Sequence, residues 1–376
     1  MQVQVYKDGN PKPIYDRQFP ILFLAILTTI PINFISCSGG CGTEPHCPPE
    51  SVKLTNPSLG ATFDSPAYIT SPVEVRWEPD NCPMVVQIYQ RNQRIFPRDN
   101  PQQEAASGIS FPLAIDAQPY EIKIWIPGRS IPSASSWIKV VPDLKENLEE
   151  HAKLWEIYEE KNPQGEKPVC DPPFLSMLAG ANANVLRLTR GGARYTNCHF
   201  YANLPPTEAK NFTFSLKFFI ENLRSCNNAQ GITSIPQALE FTISSWTGTE
   251  RYEWAVQWEN VGDGSQWQGD PPAWRIWTHQ TINSNNPDWL PIINAGNKCL
   301  SEDEWHTLRL EGRIAEGKVV YESFTVDNNF WDLSAYSYKA VVDKTPKRVA
   351  VAVQLNGNGL GERYTIYVDQ VIYAAE

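Results

Sequence analysis

Seven of the 13 Trp residues in this chain, at positions 246, 254, 258, 267, 274, 277 and 289, fall within one short stretch. Indole faces stack on the apolar C–H surfaces of pyranose rings while polar neighbours read the hydroxyls, so a ligand chemistry is sought here first. Strand alternation sorts the residues. From Tyr252 onward, Tyr252, Trp254, Val256 and Trp258 share one face, and Glu253, Ala255, Gln257 and Glu259 share the other. The first set is expected in the core, together with Trp246 and Trp274. The second set, joined by Glu240, Thr242 and Ser244 before it and Arg275, Trp277 and His279 after it, forms a polar face with one exposed Trp. In the later run Val349–Leu355, Val349, Val351, Val353 and Leu355 point inward. Ala350, Ala352, Gln354 and Asn356 point outward, where the small residues leave room for a ligand. Trp267 and Trp289 lie in Gly-, Pro- and Asn-rich loops and are expected as rim contacts. The candidate ligand-binding residues are therefore Glu240, Glu253, Gln257, Trp267, Arg275, Trp277, His279, Trp289, Gln354 and Asn356. The competing reading is that this polar face meets only solvent.

No catalytic residue is assigned. Retaining glycoside hydrolysis needs two carboxyl groups about 5–5.5 Å apart, and inverting hydrolysis about 6.5–9.5 Å. Glu253 and Glu259 share a strand at a spacing of roughly 20 Å, which is too long. Glu240 and Glu253 are the one carboxylate pair that cross-strand register could bring together. A polysaccharide lyase would need a group to neutralise a uronate and a general base and acid, for which Arg275, His279 and Tyr367 have the right chemistry. There is no Gly-x-Ser-x-Gly motif and no phosphate-cradling loop. The run Asn356-Gly-Asn-Gly-Leu-Gly361 reads as a turn between strands, with structural calcium as the alternative. The five His are scattered and no Cys-x-x-Cys occurs, so no zinc site is expected.

The 376 residues suggest about two domains. With 31 Pro and 22 Gly the composition argues against helical bundles and coiled coils and towards an all-β chain. A formal net charge of −10 argues against nucleic acid as a partner. The apolar run Phe19–Ser36, preceded by Lys7, Lys12 and Arg17, has the make-up of a secretory signal. Phe34-Ile-Ser-Cys37 resembles a bacterial lipobox, which implies lipidation at Cys37 and anchoring on the cell envelope. It departs from that pattern in having Phe34 where Leu is usual and Asp8 and Asp16 in a long leading segment. An uncleaved anchor and ordinary signal cleavage are the alternatives. Eight Cys fit an oxidising compartment, with Cys47–Cys82, Cys170–Cys198 and Cys226–Cys299 as expected pairs and Cys41 left over.

These features divide the chain into a signal or anchor (1–36), a tether (37–50), a small sandwich (51–142), a connector helix (143–165) and a larger sandwich (166–376). The helix is expected from the spacing of Leu144, Leu148, Trp155 and Tyr158, with Pro142-Asp143 as its start signal. Leu54-Thr-Asn-Pro-Ser-Leu-Gly-Ala-Thr-Phe63 followed by Val73-Glu-Val-Arg-Trp77 resembles immunoglobulin-like and fibronectin type III modules, which implies a spacer. In the larger region, the Trp305-His306 strand, the Gly317 hairpin into Val319–Val326, the Val349–Leu355 strand and the closing Tyr367-Val-Asp-Gln-Val371 resemble the concanavalin A-like lectin/glucanase superfamily. That resemblance implies a jelly-roll sandwich with a concave groove that holds oligosaccharides. Glucanases of the superfamily carry Glu, Asp and Glu at alternate positions of one strand, and no such run occurs here. A non-catalytic carbohydrate-binding envelope protein is the resulting expectation. A hydrolase or lyase using the same groove, and a structural or adhesion protein that binds another protein, are the alternatives.

Overall fold

The computed structural model describes residues 52–57, 60–97, 103–116, 118–142, 147–178, 184–224, 236–260, 272–278, 289–296, 299–357 and 361–376, the last four residues of 289–296 as backbone only. The signal segment with Cys37, the tether, Trp267, His279, Cys41, Cys47 and Cys226 lie outside the described residues. Within them the chain is all-β, with four sheets. No helix there is long and apolar enough to cross a membrane.

The first two sheets form a small sandwich. One holds Lys53–Asn56, Val73–Glu78 and Ile109–Phe111; the other is built around Met84–Gln90, Tyr120–Trp125 and Ala134–Val141. Alternation decides which side chains meet between them: Val73, Val75 and Trp77 are buried while Arg76 and Glu78 are exposed. They pack with Ile88, Ile122, Ile124 and Ile138 into a separate core, and the Trp77 indole N–H donates to the Cys82 carbonyl at 2.8 Å.

The expected connector helix is not formed. Leu148–Glu150 and Ala152–Leu154 are short 3-10 turns, and Trp155–Glu160 is a strand. Spacing of apolar residues near a helical period misled here, because Leu148, Leu154 and Trp155 are anchors buried in the larger core rather than one helix stripe. The Trp155 indole donates to the Leu148 carbonyl at 3.1 Å and fixes this corner. The larger sandwich therefore takes in residues N-terminal to 166.

Its two sheets hold eight and nine strands. The eight-stranded sheet runs in the spatial order Trp155–Glu160, Asn197–Leu204, Arg348–Asn356, Ala238–Trp246, Glu250–Glu259, Ala273–Trp277 and Trp289–Gly296, with Val341–Val342 alongside Glu250–Glu259. The nine-stranded sheet is centred on Asn184–Gly192, Tyr364–Ala375, Asn211–Ile220, His306–Ala315 and Lys318–Val326. Between them lies a core containing Tyr252, Trp254, Val256, Trp258 and Trp274 from one sheet and Phe214, Phe218, Leu310 and Ile366 from the other. Val349, Val351, Val353 and Leu355 are fully buried in it, as alternation predicted.

Two buried polar side chains hold the eight-stranded sheet in shape. Tyr321 reaches across the core and its hydroxyl meets the backbone of both Ala255 (N–H, 3.0 Å) and Trp277 (C=O, 2.9 Å), tying neighbouring strands together beside Trp277. Arg190, fully buried, donates to the carbonyls of Ala193 (2.6 Å), Thr196 (3.1 Å) and Glu362 (3.0 Å). Those bonds offset its desolvation and brace the chain beside Asn197 and Asn356. Cys170 and Cys198 form a disulfide with a Cα–Cα distance of 5.8 Å, joining an outer strand of one sheet to a strand of the other. Cys82 and Cys299 are also disulfide-bonded.

Candidate functional site

The eight-stranded sheet turns one face to the core and the other away from it. On the outward face, cross-strand register lines up Tyr158, His199, Gln354, Glu240, Gln257, Arg275 and Pro291 in one row that crosses seven strands. Beside it runs a second row, Glu156, Tyr201, Ala352, Thr242 and Ala255, with Trp277 and Trp289 paired at its far end. A third row holds Asn203, Ala350, Ser244 and Glu253. In the first row Gln354 at 6 % and Gln257 at 9 % exposure are buried, Glu240 and His199 are half-buried and Tyr158 is exposed. In the middle of the second row, Ala255 is buried and Ala352 half-buried.

Four of the residues expected from sequence, Glu240, Gln257, Arg275 and Gln354, thus share one register row, and Trp277, Trp289, Glu253 and Asn356 lie on the same face. Their roles differ. Arg275 is 1 % exposed, with its guanidinium 2.5 Å from the Glu259 carboxylate, and it buttresses the floor from within. Trp289 is not in a loop: it lies on a strand directly opposite Trp277, the two rings meeting edge to face at 5.2 Å. Trp246 is not in the core. It follows Glu240, Thr242 and Ser244 at alternate positions and shares their outward face, where its N–H donates to Asp343 at 2.9 Å and the Arg348 guanidinium lies 4.4 Å above its ring.

The two catalytic constellations considered from sequence are not assembled. Glu240 faces Gln257 and Glu253 faces Ser244, so the two Glu are offset by four residues, roughly 13 Å along the strands. Tyr367 belongs to the other sheet, paired with Arg187 and Phe219, and does not join Arg275. Among the described residues no group of three His, Cys, Asp or Glu side chains is placed to hold a metal ion.

Glu240 is the most perturbed carboxyl on the face. Burial pushes it from its ordinary 4.5 up to about 8, the Glu253 charge adds to the rise, and the Thr242 hydroxyl, 3.2 Å away, opposes it. At neutral pH it is a neutral carboxylic acid, able to donate a hydrogen bond. Glu253 instead accepts from Ser244 at 2.9 Å and lies 3.3 Å from Arg251. Glu160 is held below the usual carboxylate range by the His199 ring at 3.2 Å, with Asn197 donating to it at 2.6 Å. Burial, followed by the Glu156 charge, raises the Tyr201 hydroxyl, which donates to Glu156 at 3.0 Å.

Tyr158, His199, Tyr201, Glu156 and Glu160 were missed from sequence. The signal was present in Asn197–Leu204, where polar Asn197, His199, Tyr201 and Asn203 alternate with apolar Cys198, Phe200, Ala202 and Leu204. Tyr158, 59 % exposed, meets His199 at 5.4 Å and forms an aromatic pair at the sheet edge opposite the Trp277–Trp289 pair.

The small sandwich abuts the same sheet. Lys139 pairs with Glu156, and Tyr68 packs against the larger core beside Arg348.

No protein-family model matches the chain, and no curated protein matches it. Solved structures overlap it in part. An alginate lyase variant with bound alginate trisaccharide aligns with a TM-score of 0.34 at 8 % identity, covering 59 % of this chain and 88 % of its own. A carbohydrate-binding module of the β-sandwich superfamily aligns at 0.30 and 12 % identity, covering 87 % of this chain and 100 % of its own. A sialidase aligns at 0.33 and 9 % identity over 69 % of this chain, which spans only 21 % of the sialidase. Overlaps at this level do not transfer a site.

Proposed function

We propose that the larger sandwich binds carbohydrate on the outward face of its eight-stranded sheet, without turning it over. The observation that carries this reading is the row of hydrogen-bonding side chains His199, Gln354, Glu240 and Gln257, on a face with the Tyr158–His199 pair at one edge and, in the adjoining row, the Trp277–Trp289 pair at the other. Amides, an imidazole and a neutral carboxyl suit sugar hydroxyls, and half-exposed rings suit pyranose faces. The test is a polysaccharide and glycan screen on the whole chain that reads bound ligand and released reducing or unsaturated ends together. Binding without turnover, lost in Trp277→Ala, is the expected result.

Turnover in that screen would instead favour a hydrolase or lyase acting on the same face, with groups other than Glu240 and Glu253 as its acid–base pair, since these two are offset by roughly 13 Å along the strands. Absence of both binding and turnover would favour a protein partner.

Export and lipid anchoring at Cys37 complete the proposal. The disulfide-bonded Cys82, Cys170, Cys198 and Cys299 support an oxidising compartment. Cys37→Ala should abolish lipid labelling and release the protein from membranes; labelling that survives the substitution overturns the assignment.

A further inference from the structure

We propose that His306 is held as an imidazolium and works as a pH-sensitive clasp, fastening residues 301–305 to the turn at Asp327. The inference is independent of the carbohydrate reading above.

His306 is 2 % exposed at the start of the His306–Ala315 strand, and both of its ring nitrogens meet oxygen atoms. Nδ1 lies 2.9 Å from Asp327 Oδ2, and Nε2 lies 3.1 Å from the Ser301 carbonyl. A neutral imidazole has one N–H and one lone pair. With its proton on Nδ1, the Nε2 lone pair would face the Ser301 carbonyl oxygen; with its proton on Nε2, the Nδ1 lone pair would face the Asp327 carboxylate. The imidazolium donates to both. The carboxylate is itself fixed, since Asp327 Oδ1 accepts the Thr307 N–H at 2.8 Å and the Asp327 N–H donates to the Thr307 carbonyl at 2.9 Å. Burial opposes a charge on the ring, but the bonds to Asp327 and Ser301 and the charges of Asp327 and Glu304 outweigh it and raise His306 above its ordinary 6.5.

The clasped segment leads in sequence from the Trp289–Gly296 strand of one sheet to the His306–Ala315 strand of the other. Leu300 is buried in the core at its start, residues 301–304 are exposed, and Trp305 packs on Phe219 at 5.8 Å. Charged groups at this end of the surrounding elements are Glu302, Asp303 and Glu304 on the segment, Asp327 on the turn, and Arg309 on the strand of His306 itself. Lys217 lies opposite Thr307 on the neighbouring strand, with Asp369 opposite Lys217 on the next. Acidic groups outnumber basic ones, which favours the charged ring. Because the folded-state value lies above that of the unfolded chain, the clasp stabilises fully below about pH 6.5 and is lost as pH rises through the folded-state value. Deprotonation sets a lone pair against one of the two oxygens, and the segment between Leu300 and His306 loosens.

The test is an NMR titration of the whole chain labelled with nitrogen-15 at histidine, the His306 signals being assigned by replacing His46, His151, His199 and His279 with Gln in turn. Both ring nitrogens of His306 should show imidazolium shifts, with a titration midpoint above 6.5. Amide hydrogen exchange, corrected for its intrinsic pH dependence, should show residues 301–305 opening at least about tenfold more readily above that midpoint than below it, with the Lys318–Val326 strand unchanged. In Asp327→Asn the midpoint should fall, and the step in exchange should move with it. A midpoint at or below 6.5 in the parent overturns the assignment of the charge and with it the clasp. An imidazolium whose loss leaves exchange of residues 301–305 unchanged overturns the clasp.

Discussion

Glu240→Gln removes an ionisable group and keeps its shape, and its effect on stability can be worked out in sign and size. Burial raises the folded-state pKa from 4.5 to about 8. Between those values the unfolded chain releases the proton that the folded chain keeps, so stability must fall as pH rises from about 4.5 to about 8 and level off above. The full difference corresponds to roughly 5 kcal/mol at about 1.36 kcal/mol per pH unit. Water reaching a half-buried group lowers this, and about 2 kcal/mol is expected. Urea denaturation of parent and variant at several pH values from 4 to 9 measures it directly. The two should be equally stable near pH 4, and the variant should be more stable by about 2 kcal/mol at pH 8.5. A difference that stays within about 0.5 kcal/mol across the range, or that favours the parent at high pH, refutes the burial of Glu240 on which the neutral floor depends.

Three further outcomes test the frame that holds the face. Arg275→Met leaves the buried Glu259 carboxylate without its guanidinium and should cost about 3–5 kcal/mol in denaturant titrations, with Arg275→Met combined with Glu259→Leu recovering most of it. Gly312→Ala places a methyl group against the buried Trp254 indole and should lower stability by about 1–3 kcal/mol; an unchanged midpoint would mean that this packing is looser than the structure shows. Replacing Cys170 and Cys198 together by Ala removes a link between residues 28 apart and should cost about 3–4 kcal/mol, measured by thermal melts against the oxidised parent.

The sidedness of individual strands is legible in the amino-acid sequence. Alternation is a local property, so Trp254 and Trp258 are assigned inward and Glu253 and Gln257 outward from the strand alone. The same rule, carried two residues past Ser244, puts Trp246 outward; grouping it with Trp254, Trp258 and Trp274 as a core residue hid this. The segment Leu148–Glu160 failed for a different reason. Leu144, Leu148, Trp155 and Tyr158 match a helical spacing, and only the docking of Leu148 and Trp155 into the larger core shows that Trp155 opens an edge strand.

Sequence alone therefore determined the all-β class, the polar character of one face and most of its residues, because composition and period-two alternation act within single strands. Which strands lie side by side, and in what register, depends on pairings between residues more than a hundred positions apart, such as Glu240 with Gln354. Tertiary structure alone decided that Tyr158, His199, Gln354, Glu240 and Gln257 form one row and that Glu240 and Glu253 do not meet. It also decided that Arg275 supports the floor from within, because its burial against Glu259 comes from neighbouring strands that its own strand does not specify.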